Sequence, residues 1–226
     1  MNRDAPVDTD IVLVGGGHAH VHVVKAFAER PLPGVRVTLV TRDLETPYSG
    51  MLPGVIAGLY APEEAHIDLV RLAAVCGTRL VHAEAVGIDR AAKRLRLAGR
   101  PPIAYDILSI DVGITPDLAS IVGAAEHGIA VKPIGAFLAK FEALRAQCRD
   151  GAVRRIAMIG GGAGGVELLL SLRARLCADA AQDGRMPGLS FALVTGEELL
   201  ATHNARVRRA FRDRLTAANM SGSLAT

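Results

Sequence analysis

Apolar residues fall into short unbroken runs separated by stretches of helical periodicity. Residues 11–14, Ile-Val-Leu-Val, form one such run and end in Gly15-Gly16-Gly17, the pattern of a strand buried on both faces followed by a tight turn. Beyond it Ala19, Val23, Ala26 and Phe27 recur at helical spacing as far as Arg30, where Pro31 and Pro33 stop the helix. Residues 35–40 predict a second buried strand. Strand, glycine turn, helix and strand in about 30 residues make one βαβ unit.

The unit recurs. Residues 155–159 predict a strand, Gly160 to Glu167 spell GGGAGGVE, and a helix follows to about Asp179. Asp183-Gly184 and Pro187-Gly188 then break the chain before a strand over 189–194. Two copies about 145 residues apart predict two tandem dinucleotide-binding domains, since each unit can hold one pyrophosphate. Between them, 80–88 and 94–97 predict strands, the latter alternating Arg-Leu-Arg-Leu as a half-exposed ribbon does. Residues 106–112 predict a further strand, and Ile134, Phe137, Leu138, Phe141 and Leu144 share one face of a helix over 134–147. With a boundary between 116 and 132, the expected domains are 8–118 and 119–226, an α/β fold of two Rossmann-like units.

Composition narrows the class. Half of the 226 residues are hydrophobic and 22% charged, which excludes disordered and collagenous chains. A net charge of +3, 4% aromatics and no Trp argue against a nucleic-acid partner. Cys76, Cys148 and Cys177 form no C-x-x-C pair, so neither a disulfide framework nor a zinc site is signalled and a reducing compartment fits. No apolar run reaches the roughly 20 residues of a membrane span, so the expected location is cytoplasmic.

The chemistry lies in the glycines. In G-x-G-x-x-G the first Gly makes a tight turn, the second lets backbone N–H groups approach a pyrophosphate, and the third permits close helix packing. The helix N-terminus adds partial positive charge. Gly160, Gly162 and Gly165 satisfy all three positions. Gly15 and Gly17 satisfy the first two, but His20 stands third, where its side chain is expected to crowd helix against strand. His18, His20 and His22 suggest a metal, yet on a helix only His18 and His22 are neighbours and no Cys or carboxylate completes a set, so no metal is expected.

Three segments together carry a resemblance. GGGHAHV from Gly15, YDILSIDVGITP from Tyr105 to Pro116 and GGGAGGVE from Gly160 resemble, in order and spacing, the pyridine nucleotide-disulfide oxidoreductases, the two-dinucleotide-binding flavoproteins. PYSGMLPG from Pro47 to Gly54, with the HAH loop, resembles the branch linked to selenide, water dikinase, itself similar to type II NADH dehydrogenases. The resemblance implies FAD at the first unit and NAD(P)H at the second. It assigns Gly15, Gly16, Gly17, His18 and Ala19 to the FAD turn, Thr41 and Asp43 to its ribose, Tyr48, Ser49, Met51 and Pro53 to the flavin ring, and Ala85, Asp111 and Gly113 to further contacts. It assigns Gly160, Gly162, Gly165 and Thr195 to the second nucleotide, and Glu167 to a catalytic position facing nicotinamide and flavin, the alternative for Glu167 being a carboxylate favoured by the helix dipole. The chain departs from the pattern at Asp111 and Val112, where Ala and Thr are usual, and at Thr41, where an acid is usual, with Asp43 two residues on.

The implied reaction is hydride transfer from NADH to flavin and on to an acceptor. Since no Cys precedes Cys76, the family's cysteine relay is missing and a non-thiol acceptor such as a quinone is expected. The alternative is a non-catalytic dinucleotide-binding module of selenium metabolism, with selenophosphate synthetase as partner. A homo-oligomer and a peripheral membrane contact are further expected associations. NADH is expected over NADPH because residues 195–205 hold no Arg or Lys, while Glu197 lies near the ribose position. Arg206, Arg208, Arg209, Arg212 and Arg214 read as a solvated helix face, with an anionic surface as the alternative. Family members continue further, so the chain is read as an N-terminal fragment, truncated before the C-terminal part of the fold, and is expected to hold FAD weakly or not at all alone.

Overall fold

The computed structural model describes residues 6–184 and 188–224. The expected breaker Pro187 and residues 225–226 lie outside the described residues. The chain forms two compact units, one of residues 1–48 and 66–116, the other of residues 49–65 and 117–226.

In the first unit β1 (Thr9–Val14), β2 (Val35–Thr41), β5 (Arg79–His82) and β9 (Ile107–Ile110) make a parallel sheet in the order β5-β2-β1-β9. Alternation across β1 sends Leu13 to one face and Val12 and Val14 to the other. Leu13 and Leu39 pack with Val21 and Val24 of α1 (His18–Glu29) and Leu69 of α3 (Leu69–Cys76). Val12, Val14, Val40 and Val81 pack instead with Leu95 and Leu97 of an antiparallel ribbon, β6 (Ala85–Asp89), β7 (Arg94–Leu97) and β8 (Arg100–Ala104). The sheet is thus covered on both sides, as a parallel sheet requires.

Several expectations are corrected here. The buried face of α1 is His20, Val21 and Val24, whereas Ala19 and Ala26 are exposed. Residues 80–88 are not one strand. Ala83 N–H donates to Thr41 O, ending the parallel ladder, and Ala98 N–H donates to Glu84 O, beginning the ribbon, so one apolar run serves two sheets. β8 contains Pro101 and Pro102, which a strand tolerates only at an edge, and β8 is the edge. The short antiparallel pair β3 (Glu45–Pro47) and β4 (His66–Asp68) is too brief to show a period. It delivers the chain to α3, which Asp68 caps by accepting from Arg71 N–H at 2.9 Å.

The second unit carries α2 (Leu52–Ala57), α4 (Ala124–His127), α5 (Ile134–Arg149), α6 (Ala163–Gln182) and α7 (Ala205–Ala217). Its parallel sheet has the order β10 (Arg155–Ile159), β11 (Ser190–Thr195), β12 (Ser221–Leu224). One core joins Val166, Leu169 and Leu176 of α6 to Phe191 and Leu193 of β11 and Leu215 of α7. Another joins Leu52 and Ile56 of α2 to Ile134, Phe137 and Phe141 of α5 and Leu168 and Leu172 of α6. The expected apolar face of α5 is the face that packs. α6 runs three residues past Asp179 and stops where Gly184 adopts φ +65°.

Candidate functional site

Each unit places a glycine turn between a strand and the helix that follows it, β1 and α1 in the first and β10 and α6 in the second. In the first, Gly15 has φ +95° and donates its N–H to Val40 O at 2.8 Å. In the second, Gly160 has φ +119° and donates to Val194 O at 2.8 Å. The middle glycine of each turn lies against the threonine that ends the neighbouring strand. A Cβ on Gly16 would stand 3.2 Å from Thr41 Oγ1, and one on Gly161 would stand 2.5 Å from Thr195 Oγ1. Each hydroxyl is then tied to the acid two residues on, Thr41 donating to Asp43 O at 2.8 Å and Thr195 to Glu197 O at 3.0 Å. The two units therefore repeat a device, a threonine at the strand end whose hydroxyl bonds the backbone carbonyl of an exposed acid at +2.

The units differ at the third position. Gly165 brings its helix so near the turn that a Cβ would lie 2.1 Å from Gly160 O. Its counterpart His20 resolves the expected crowding by bonding: the ring is 2% exposed, Nδ1–H donates to Gly15 O at 2.7 Å, and Ser109 Oγ lies 2.9 Å from Nε2. The carbonyl partner fixes a proton on Nδ1. Ser109 was invisible as a partner in sequence, since only the β1–β9 register brings it near.

They differ again at the helix N-termini. At α1, Asp111 Oδ2 accepts from Ala19 N–H at 3.1 Å and His20 N–H at 3.3 Å, and a Cβ on Gly17 would meet that carboxylate. At α6, a Cβ on Gly160, Gly162 or Gly164 would meet nothing within 4 Å. The second turn is open to a diphosphate and fits one. The first has the backbone for one, with a carboxylate in the seat.

The remaining candidates are placed as follows. His18 opens α1, its ring edge-on to Tyr48 at 5.7 Å between centroids. Ser49, Met51 and Pro53 lie in the second unit, in a helical turn (Ser49–Met51) and at the start of α2. Ala85 begins β6, half-buried. Gly113 has φ +72° in the segment after β9. Glu167 is exposed and stands four residues past Ala163, in the second turn of α6 rather than the first, where the macrodipole has largely decayed. Among the basic residues of α7, Arg208 pairs with Glu198 at 2.6 Å and Arg212 approaches it at 3.6 Å. Among the described residues no three His, Cys, Asp or Glu side chains are grouped to hold a metal ion. No helix among them is long and apolar enough to cross a membrane.

Two Rossmann-like units, each with its own glycine turn, are the layout of the two-dinucleotide-binding class of fold. The match to the pyridine nucleotide-disulphide oxidoreductase model over residues 9–221 shows that the chain belongs to that family. No curated protein matches. Among solved structures it is similar to NDH2 of Plasmodium falciparum in complex with NADH, at 15% identity and a TM-score of 0.80, covering 96% of this chain and 48% of that one. It is also similar to the sulfide:quinone oxidoreductase of Aquifex aeolicus, at 19% identity and a TM-score of 0.74, covering 96% and 51%. The ferredoxin reductase of the CYP199A2 system of Rhodopseudomonas palustris gives 21% identity and a TM-score of 0.73, covering 96% and 50%. The chain thus spans about half the length of the solved structures it matches.

Proposed function

We propose that the chain forms the dinucleotide-binding part of an FAD-dependent NAD(P)H oxidoreductase, with FAD at the first turn, NADH at the second, and a non-thiol acceptor such as a quinone. The observation that carries this reading is the second turn, where a Cβ on Gly160, Gly162 or Gly164 would meet nothing within 4 Å, so that these glycines and the α6 N-terminus leave an open cradle for a diphosphate. In it Gly160, Gly162 and Gly165 lie at the diphosphate and Thr195 at the adenosine ribose. At the first turn Gly15, Gly16, Gly17, His18 and Ala19 serve the diphosphate, Thr41 and Asp43 the ribose, and Tyr48, Ser49, Met51, Pro53, Ala85 and Gly113 the rest of the cofactor. Bound flavin supplies the acceptor for a hydride. The protein's part is to hold and orient. Because no Cys precedes Cys76, and burial raises the pKa of the Cys148 thiol, a thiol relay is not part of this reading.

The test is an anaerobic titration of the flavin-loaded protein with NADH, read as loss of flavin absorbance. Bleaching supports the reading. Flavin and nucleotide bound without bleaching would make the chain a non-catalytic module, and a chain that takes up neither would end the proposal.

Two predictions arise at the second nucleotide. NADH is expected to be preferred to NADPH by at least about tenfold in kcat/KM. Glu197, exposed and bonded through its backbone carbonyl to Thr195, brings a negative charge that would repel a 2′-phosphate, and Glu198 already holds Arg208, the cation that would otherwise pair with one. A preference for NADPH would mean that Arg208 leaves Glu198 for the nucleotide. Second, Glu167→Gln is expected to slow flavin reduction about tenfold with FAD and NADH affinities unchanged. Stopped-flow reduction at the wild-type rate would remove Glu167 from the nicotinamide side.

A further inference from the structure

We propose that Asp111 is an internal competitor for the anion seat of the first turn and sets how tightly that turn holds a dinucleotide. The inference rests on the reading of the first turn as a diphosphate site. A helix N-terminus offers its first N–H groups to an anion, and at α1 two of them, on Ala19 and His20, are already bonded to Asp111 Oδ2. The carboxylate is held there by backbone. Asp111 N–H donates to Val14 O at 2.8 Å, extending the β1–β9 pairing by one residue, and Asp111 O lies where a Cβ on Gly15 would stand 2.2 Å away.

Gly17 completes the fit, since a Cβ there would lie 2.2 Å from Oδ2. The absence of a side chain at Gly15 makes room for the Asp111 backbone, and its absence at Gly17 makes room for the Asp111 carboxylate as well as for a phosphate. Both groups are anionic acceptors for the same N–H donors. A diphosphate entering this turn must displace the Asp111 side chain, giving up charge-assisted hydrogen bonds. If the carboxylate stays near, the two like charges repel. The second turn carries no such group, with nothing within 4 Å of a Cβ on Gly160, Gly162 or Gly164, so its ligand meets no rival from the chain. The same asymmetry lets α1 keep a satisfied N-terminus without a ligand.

A residue that merely supports the turn would weaken cofactor binding when removed. A competitor does the opposite, so the sign decides. FAD is titrated into the chain and into Asp111→Ala and Asp111→Asn, followed by flavin fluorescence, with riboflavin, which has no phosphate, as the control ligand. The expected result is FAD affinity higher by at least about tenfold in Asp111→Ala, a smaller gain in Asp111→Asn, and no change for riboflavin. In the ligand-free protein, amide exchange at Ala19 and His20 is expected to speed up in Asp111→Ala. Equal or weaker FAD binding by the variants would overturn the competitor role while leaving the first turn a flavin site. Should Asp111→Ala fail to fold, Asp111→Asn, which keeps the volume and one acceptor oxygen, decides by itself. If no form binds FAD, the diphosphate reading of the turn falls, and this inference with it.

Discussion

Gly165→Val is expected to abolish NADH binding, with affinity down at least about a hundredfold, and to lower the stability of the second unit by about 3 kcal/mol. The new Cβ would lie 2.1 Å from Gly160 O and 3.1 Å from its carbonyl carbon. Both are backbone atoms at the turn, so relief requires α6 to lift away from β10 or the turn to deform. Either movement misdirects the N–H groups at Gly162 and beyond. Gly162→Val separates the two effects. Its Cβ meets nothing within 4 Å, so the fold should persist while the side chain fills the diphosphate cradle. Gly164→Ala, also in open space and inside the helix, should leave stability unchanged or slightly raised. The checks are isothermal titration with NADH and denaturant unfolding. Full NADH affinity in Gly165→Val would show that α6 does not need this close approach.

Asp179→Asn is expected to cost about 2–3 kcal/mol at neutral pH. Arg145 Nε donates to Asp179 Oδ2 at 2.7 Å and its NH2 group to Oδ1 at 3.0 Å, a two-point pair whose side chains are only 15% and 12% exposed. Arg175 adds a contact to Asp179 at 3.2 Å, and Arg145 also holds Glu142 at 2.8 Å. Hydrogen bonding from Arg145 holds the Asp179 carboxyl below its usual range, against the opposing effect of burial. In the unfolded chain the group titrates near its ordinary value of about 3.9. Its contribution to stability is therefore complete above that value and is lost as the pH falls through the lower folded value. Unfolding midpoints measured from neutral pH downward should fall more steeply below about pH 4 for the wild type than for Asp179→Asn. Parallel curves would show that the pair contributes little. Arg36, hydrogen-bonded to Asp10, lowers that carboxyl in the same direction, so some acid sensitivity remains in the variant.

The sequence made the two turns legible because glycine spacing, strand runs and helix periodicity all follow from local sterics. It could not reveal what long-range register supplies. That Ser109 meets His20, or that Asp111 reaches α1, depends on β9 lying beside β1, nearly a hundred residues away in the chain. The departure from Ala at position 111 was the available signal, and it marked the position without its role. Periodicity misplaces the face of α1 because Ala19 and Ala26 are apolar while the buried His20 is not. It joins 80–88 into one strand because hydrophobicity does not say which of two sheets a strand joins. In sequence the threonine and acid pairs of the two units carry no sign of a shared role. Only the positions of Gly16 and Gly161 against the two hydroxyls show them to be one device.

The prolines of β8 have an effect beyond closing the ribbon. An outermost strand with a full row of free N–H groups would invite another polypeptide to add itself in register, the first step of sheet growth between molecules. Pro101 and Pro102 are adjacent and so face opposite sides of β8, and one of them removes a donor from that row. Arg100 beside them adds a charge that an incoming strand would have to bury. The ribbon covering one face of the first unit is thereby protected against strand addition at that edge, and replacing both prolines with threonine should let the protein polymerise through it, visible as rising light scattering at constant fold.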